Sequence, residues 1–257
     1  MSDTTVDHNV GTAVVLGIRF FEGTIDAAID WIRDHGGYLV IPASPALLKL
    51  KFDDEYRRAL ASADLALADS ALLTRAAGIV TRARVPKISG QRYLARLSER
   101  ADLALDQSSL WVVSSETARE RAARWLRDRG FAETSDPIRV FAGDGRHDLL
   151  LQLEERRSRH VILALGSGYD EPLALYLREY LLYRPSIHCV GSALDFVTGA
   201  ERAIPHWAEQ SNLGWLLRLA SQPRMLLPRI GIAISVAAMV LRYRTEMPPR
   251  RRRWEDM

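Results

Sequence analysis

One cysteine, Cys189, stands alone in 257 residues, which excludes an internal disulfide and leaves no CxxC pair for a structural zinc. The chain has no GxxxxGK[ST] phosphate loop and no convincing GxGxxG. The runs Gly143-Asp144-Gly145 and Gly166-Ser167-Gly168 are weak as isolated signals. No internal repeat and no long linker interrupt it. The opening MSDTTVDHNV lacks a basic region, so a signal peptide is not expected and a reducing, cytoplasmic setting is. The uncharged apolar stretch Ile230 to Leu241 would be about 18 Å long as a helix, short of a hydrocarbon core of about 30 Å.

What is present is ordinary globular material, 47% hydrophobic and 26% charged, enough for one large domain. The net charge of +3 conceals an asymmetry. From Arg218 onward nine Arg face only Glu246, Glu255 and Asp256, a local excess of +6, so the remainder carries −3. A mildly acidic body with a basic tail points to an anionic partner. The tail's Arg250 to Arg253 block lacks interleaved aromatics, which argues against nucleic acid. A short apolar run fenced by arginines is instead the pattern of a helix lying on an anionic membrane surface, or else of a buried core helix or an oligomer contact.

Short apolar runs alternate with amphipathic segments. Val14 to Leu16, Tyr38 to Ile41, Leu65 to Ala68, Leu110 to Val113, Ile138 to Phe141, Val161 to Leu165 and Ile187 to Val190 read as strands. Thr24 is placed to cap a helix carrying Ile25, Ala28, Ile29 and Ile32 on one face. This alternation predicts an α/β fold, a Rossmann-like, mostly parallel sheet flanked by helices, with a basic, partly apolar C-terminal appendage. The expected division is 1–217 for the α/β body and 218–257 for the appendage. Ligands of such sheets bind beyond the carboxyl ends of the strands.

Several residues fall at those ends. Asp69 follows a strand and precedes an Ala/Leu-rich helix, where an N-cap is the plain reading. Ser44-Pro45 reads as an N-cap with proline in the first turn. Ser114 and Ser115 precede a helix whose amino terminus could cradle a diphosphate. Asp170 and Glu171 follow Gly166; side by side in a ligand region, two such charges cost about 1 kcal/mol at 4 Å in water and about 4 at an effective dielectric near 20. A divalent metal held by those two acids alone would be a weak site, and neither a metal nor a cofactor is called for.

The segment from Gly191 to Arg224, with Gly-x-Ala-x-Asp-Phe, Gly199, Pro205-x-Trp207, Trp215-x-x-Arg218 and Pro223-Arg224, resembles the WecG/TagA/CpsF glycosyltransferases, family 26. The resemblance runs over roughly residues 14 to 229 and is best after Gly191. It implies that Asp69, in ADLALADSALL, is the base that deprotonates the acceptor hydroxyl in an inverting displacement. It further implies substrate contacts from Ser44, Gly90, Ser114, Ser115, Gly166, Asp170, Glu171 and Arg202, with Arg218 and Arg224 on the diphosphate. The implied reaction moves a sugar, of N-acetylmannosamine type or another hexose, from a UDP-sugar to a polyprenyl-diphosphate-linked saccharide at the inner face of the cell membrane. A homo-oligomer is a further expectation. The chain departs from the family pattern at Pro42, Ser44, Ser70, Arg92, Ser114, Ser115, Tyr169, Asp170, Ala203 and Gly214. The changes at Pro42, Ser44, Ser114, Ser115, Tyr169, Asp170 and Ala203 give the alternative, a non-catalytic scaffold in polysaccharide assembly. A third reading is a nucleotide-dependent enzyme acting on a soluble acceptor.

Overall fold

The structure is a computed structural model and describes residues 11–100, 103, 108–131, 137–199 and 223–250, with backbone alone over 223–230. Eight strands form one sheet: β1 (Thr12–Val15), β2 (Ile18–Phe21), β3 (Gly37–Val40), β4 (Leu65–Ala66), β5 (Ser109–Val113), β6 (Ile138–Val140), β7 (His160–Ala164) and β8 (Ser186–Cys189). Their order is β1-β2-β4-β3-β8-β7-β5-β6, parallel throughout except for the β1-β2 hairpin at one edge. Strands β5, β7 and β8 are buried along their whole length, as a parallel sheet covered on both faces requires. The expected α/β, mostly parallel fold is what is observed.

Ten α-helices are described, besides a 3-10 turn at Leu48–Lys51: α1 (Ile25–His35), α2 (Ser44–Leu47), α3 (Asp54–Ala61), α4 (Ala71–Thr81), α5 (Gly90–Ser98), α6 (Glu116–Arg127), α7 (Arg146–Arg156), α8 (Asp170–Tyr180), α9 (Ala193–Val197) and α10 (Pro223–Tyr243). Thr24 caps α1 as expected, its side chain accepting from Ala27 N, and Gly36 closes the helix at φ +66. The two-residue periodicity of the strands divides the core into two. Tyr38 and Val40 face a cluster built with α2, α3, α4, α7, α8 and α10, while Leu39 and Ile41 face one built with α1, α5, α6 and α9.

The sequence reading took only the first arm of the edge hairpin. Its second arm, β2, follows a two-residue turn at Leu16 (φ 54) and Gly17 (φ 74), the left-handed pair that suits a tight hairpin. Leu16 is a costly residue for that conformation, and the turn is held from outside. Leu16 N and Gly17 N donate to Arg244 O and Thr245 O of the segment after α10.

That segment and α10 are closely joined to the body. Val236, Met239 and Val240 are buried in the same cluster as β3 and β4, and α10 packs along α4 and α2. Beyond it, Pro248 O accepts from Arg57, and Arg250 pairs with Asp54 at 3.0 Å. The core-helix reading of Ile230 to Leu241 therefore describes its inner face. Ile234 and Leu241 remain on the outer face. Among the described residues no helix is long and apolar enough to cross a membrane. The expected boundary at residues 217/218 lies outside the described residues.

Candidate functional site

The carboxyl ends of the parallel strands all open on one edge of the sheet, and the loops leaving them carry most of the expected site residues. Asp69 leaves β4, Ser44 follows β3, Ser114 and Ser115 follow β5, and Gly166 to Glu171 join β7 to α8. A cleft of about 490 Å³ lies over β5, β6 and β7. Lys49, Ser114, Phe141, Arg146, Gly168 and Tyr169 are among its walls.

Asp69 is half-buried two residues before α4. The N-cap is Ser70, whose hydroxyl accepts from Leu73 N at 3.4 Å, so the cap falls one residue after Asp69. β4 and β7 are three strand positions apart, about 14 Å at the usual spacing. Asp69 thus stands to one side of the cleft, along the same edge.

Ser44 also differs from the expected cap. Ala43 is the capping residue of α2, and its N–H donates to Ser167 Oγ at 3.1 Å. Ser44 is the first helical residue, so this contact sets its segment against the β7-α8 loop. Ser115 does cap a helix, its hydroxyl accepting from Ala118 N, which leaves Ser114 to line the cleft. Gly90 begins α5, where a Cβ would lie 3.2 Å from Ala193 Cβ and 3.3 Å from Val190 O. Its absent side chain is explained by packing of α5 against α9. Arg92 in the same turn is exposed, as expected for a cation at a helix start.

The β7-α8 loop requires a correction. Asp170 and Glu171 were expected to face a ligand as two neighbouring negative charges. Both are instead buried and turned back into the loop. Asp170 accepts from Leu165 N at 2.8 Å and from Gly191 N at 2.7 Å, tying the end of β7 to the end of β8. Glu171 accepts from Gly168 N at 2.6 Å and from Ser167 Oγ at 3.1 Å. Backbone N–H dipoles from Leu165, Gly168 and Gly191 face the two carboxyls, and the Lys49 ammonium adds a favourable charge to Glu171. Burial, and then the charge of Glu171, push the Asp170 carboxyl well above the ordinary carboxylate range, while its N–H donors pull the other way. Burial likewise pushes Glu171 up. The loop needs glycine at two places, Gly166 (φ +119) and Gly168 (φ +93). At Gly168 a Cβ would also meet Lys49 Nζ at 2.6 Å.

Lys49, Phe141, Arg146 and Tyr169 were not singled out from the sequence as cleft residues. Lys49 reaches across the mouth to donate to Gly168 O at 3.2 Å, with its ammonium 4.7 Å from the Tyr169 ring centre. Arg146, at the start of α7, pairs with Glu55 at 2.6 Å. The run Gly143-Asp144-Gly145 just before Arg146 was the available signal, and it gave no hint that Lys49 would approach from a different strand's loop.

Arg202 and Arg218 lie outside the described residues, as do Pro205, Trp207 and Trp215. Arg224 is on the first turn of α10, where only the backbone is described. Among the described residues no group of three or more His, Cys, Asp or Glu side chains converges.

The family model described as Glycosyl transferase WecG/TagA/CpsF family matches residues 13–252. A comparison with curated proteins finds no match.

Proposed function

Since the chain belongs to the WecG/TagA/CpsF glycosyltransferase family, we propose that it transfers a sugar from a UDP-sugar to a polyprenyl-diphosphate-linked saccharide, with inversion, in cell-surface polysaccharide synthesis. The observation that carries this reading is Asp69: a half-buried carboxylate past the carboxyl end of β4, on the same edge of the sheet as the cleft. A base at that point takes the acceptor hydroxyl proton as the oxygen attacks the anomeric carbon and the nucleotide diphosphate leaves. The cleft over β5 to β7 takes the donor, with the Ser114-Ser115 amino terminus of α6, Lys49 and Arg146 offsetting diphosphate charge. Arg202, Arg218 and Arg224 are proposed to add guanidinium contacts to the same phosphates.

The membrane surface is proposed as the place of reaction. Leu72 and Ile79 of α4, with Ile234 and Leu241 of α10, are exposed apolar side chains on two helices packed together. Arg75, Arg82 and Arg242 are exposed on the same pair, which suits an anionic lipid face.

The inward turn of Asp170 and Glu171 favours a second reading, in which the loop has become structural and the protein is a scaffold. Calorimetry with UDP and UDP-sugars, with and without magnesium, separates the two. Saturable binding, together with loss of turnover but not of folding in Asp69→Asn, supports the transferase. A folded protein that binds neither nucleotide with acceptor lipid present is the scaffold.

A further inference from the structure

A second cavity, of about 610 Å³, opens at the opposite edge of the sheet, where β3 and β8 begin and α8 ends. Helix α8 runs from the cleft to this cavity, and its eleven residues separate the two by about 16 Å. The charges on its walls are three arginines, Arg19, Arg178 and Arg184, against one acid, Asp64. These cations come from three different elements, β2, α8 and the turn before β8, so the chain folds to bring them together.

Asp64 is nearly buried and already committed. It accepts from Tyr38 N at 2.9 Å, pairs with Arg184 at 2.9 Å and has Arg178 at 3.7 Å. Its place depends on glycine: a Cβ on Gly37 (φ +100) would lie 2.2 Å from Asp64 Oδ2. Arg178 spends one nitrogen on Ser62 O at 2.7 Å, and Arg19 spends one on Ala63 O at 3.2 Å. Each guanidinium carries five donors, so these contacts fix the three forks and leave donors over. Nearby Glu154 holds Leu182 N and pairs with Arg157, and so adds no acid to the cavity's walls.

We propose that this cavity is a second anion site that takes a phosphoryl group. A residual charge of +2 matches a phosphate dianion, and guanidinium forks from three directions suit its tetrahedral oxygens better than the two of a carboxylate. The site is separate from the cleft and does not depend on the transferase reading.

Amide-resolved NMR titration of the full chain tests it, with inorganic phosphate and, in a second arm, uridine monophosphate as probes. The expected result is saturable shifts of the Gly37, Leu182 and Arg184 amides. The dissociation constant should rise about tenfold or more in the double variant Arg19→Gln, Arg184→Gln, since each substitution removes charge-assisted bonds to the anion. Saturation by phosphate alone identifies a free-ion site; saturation only by the nucleotide means the Leu182-Tyr183 wall reads an organic part. Arg184→Gln alone, at a half-exposed position, serves if the double variant does not fold. No saturable shift at these amides with either probe, or equal binding in the variant, overturns the proposal. Shifts confined to Gly143, Ser114 and Gly168 do the same, because they report the cleft.

Discussion

Removing the Asp170 carboxylate should loosen the end of β7 from the end of β8. In Asp170→Ala, Leu165 N and Gly191 N each lose their acceptor inside the protein. A buried donor left unsatisfied costs about 1 to 3 kcal/mol, so the two together cost about 2 to 6. Against this stands the relief of a buried carboxyl that burial and Glu171 already disfavour as an ion. The net expectation is a loss of about 2 to 4 kcal/mol. Asp170→Asn keeps one acceptor and turns an NH2 toward the other N–H, for a smaller loss of about 1 to 2 kcal/mol. Urea unfolding at neutral pH measures both, read as a shift in midpoint at constant slope. The pH dependence adds a sign. A carboxyl whose folded pKa is raised gives stability that is fully present below its unfolded value near 3.9 and lost as pH rises through the folded value. The gap between wild type and Asp170→Asn should therefore narrow as pH rises. An unchanged midpoint in Asp170→Ala, or a gap that widens with pH, would refute the inward clamp.

The other expectations concern the core. His188 is buried in line with Tyr93 Oη at 2.7 Å and His160 Nδ1 at 3.3 Å, and burial followed by His160 holds its pKa well below 6.5. The unfolded chain takes a proton there that the folded one refuses, so stability should fall as pH drops below about 6.5, by up to about 1.4 kcal/mol per pH unit, and His188→Gln should lose that part of the slope. Met239→Ala, at a buried position on α10, should cost about 2 to 4 kcal/mol in the unfolding of the whole body; no change in midpoint would mean that α10 unfolds apart from it.

The strands were legible wherever a continuous apolar run had turn residues on both sides, as Val161 to Leu165 has. β2 was not, because Arg19 interrupts it and Leu16-Gly17 is an unfamiliar hairpin turn, supported by residues far along the chain. Caps were misplaced by one residue at Asp69, where the neighbouring Ser70 takes the role, and at Ser44, where Ala43 holds the cap position by backbone alone. Asp170 and Glu171 read as a problem because a sequence shows charge but not where backbone N–H groups will point. Lys49 and Arg146 could not be joined on paper, as only the strand order brings their loops to one cleft. By composition Ile230 to Leu241 fits a membrane surface better than a core, and its contact with α4 assigned the inner face.

The support of the Leu16-Gly17 turn has a consequence for synthesis. The hairpin that contains it leaves the ribosome well before its two acceptors, Arg244 O and Thr245 O, which lie far along the chain. Until they arrive, a left-handed leucine has nothing to hold it, and the β1-β2 edge must wait as an unpinned strand pair. Closing it is a contact between residues far apart in sequence, slow by loop-closure entropy. Nascent chains stopped before Arg244 should therefore keep this edge open to chaperones and to one another, long after the central strands have paired.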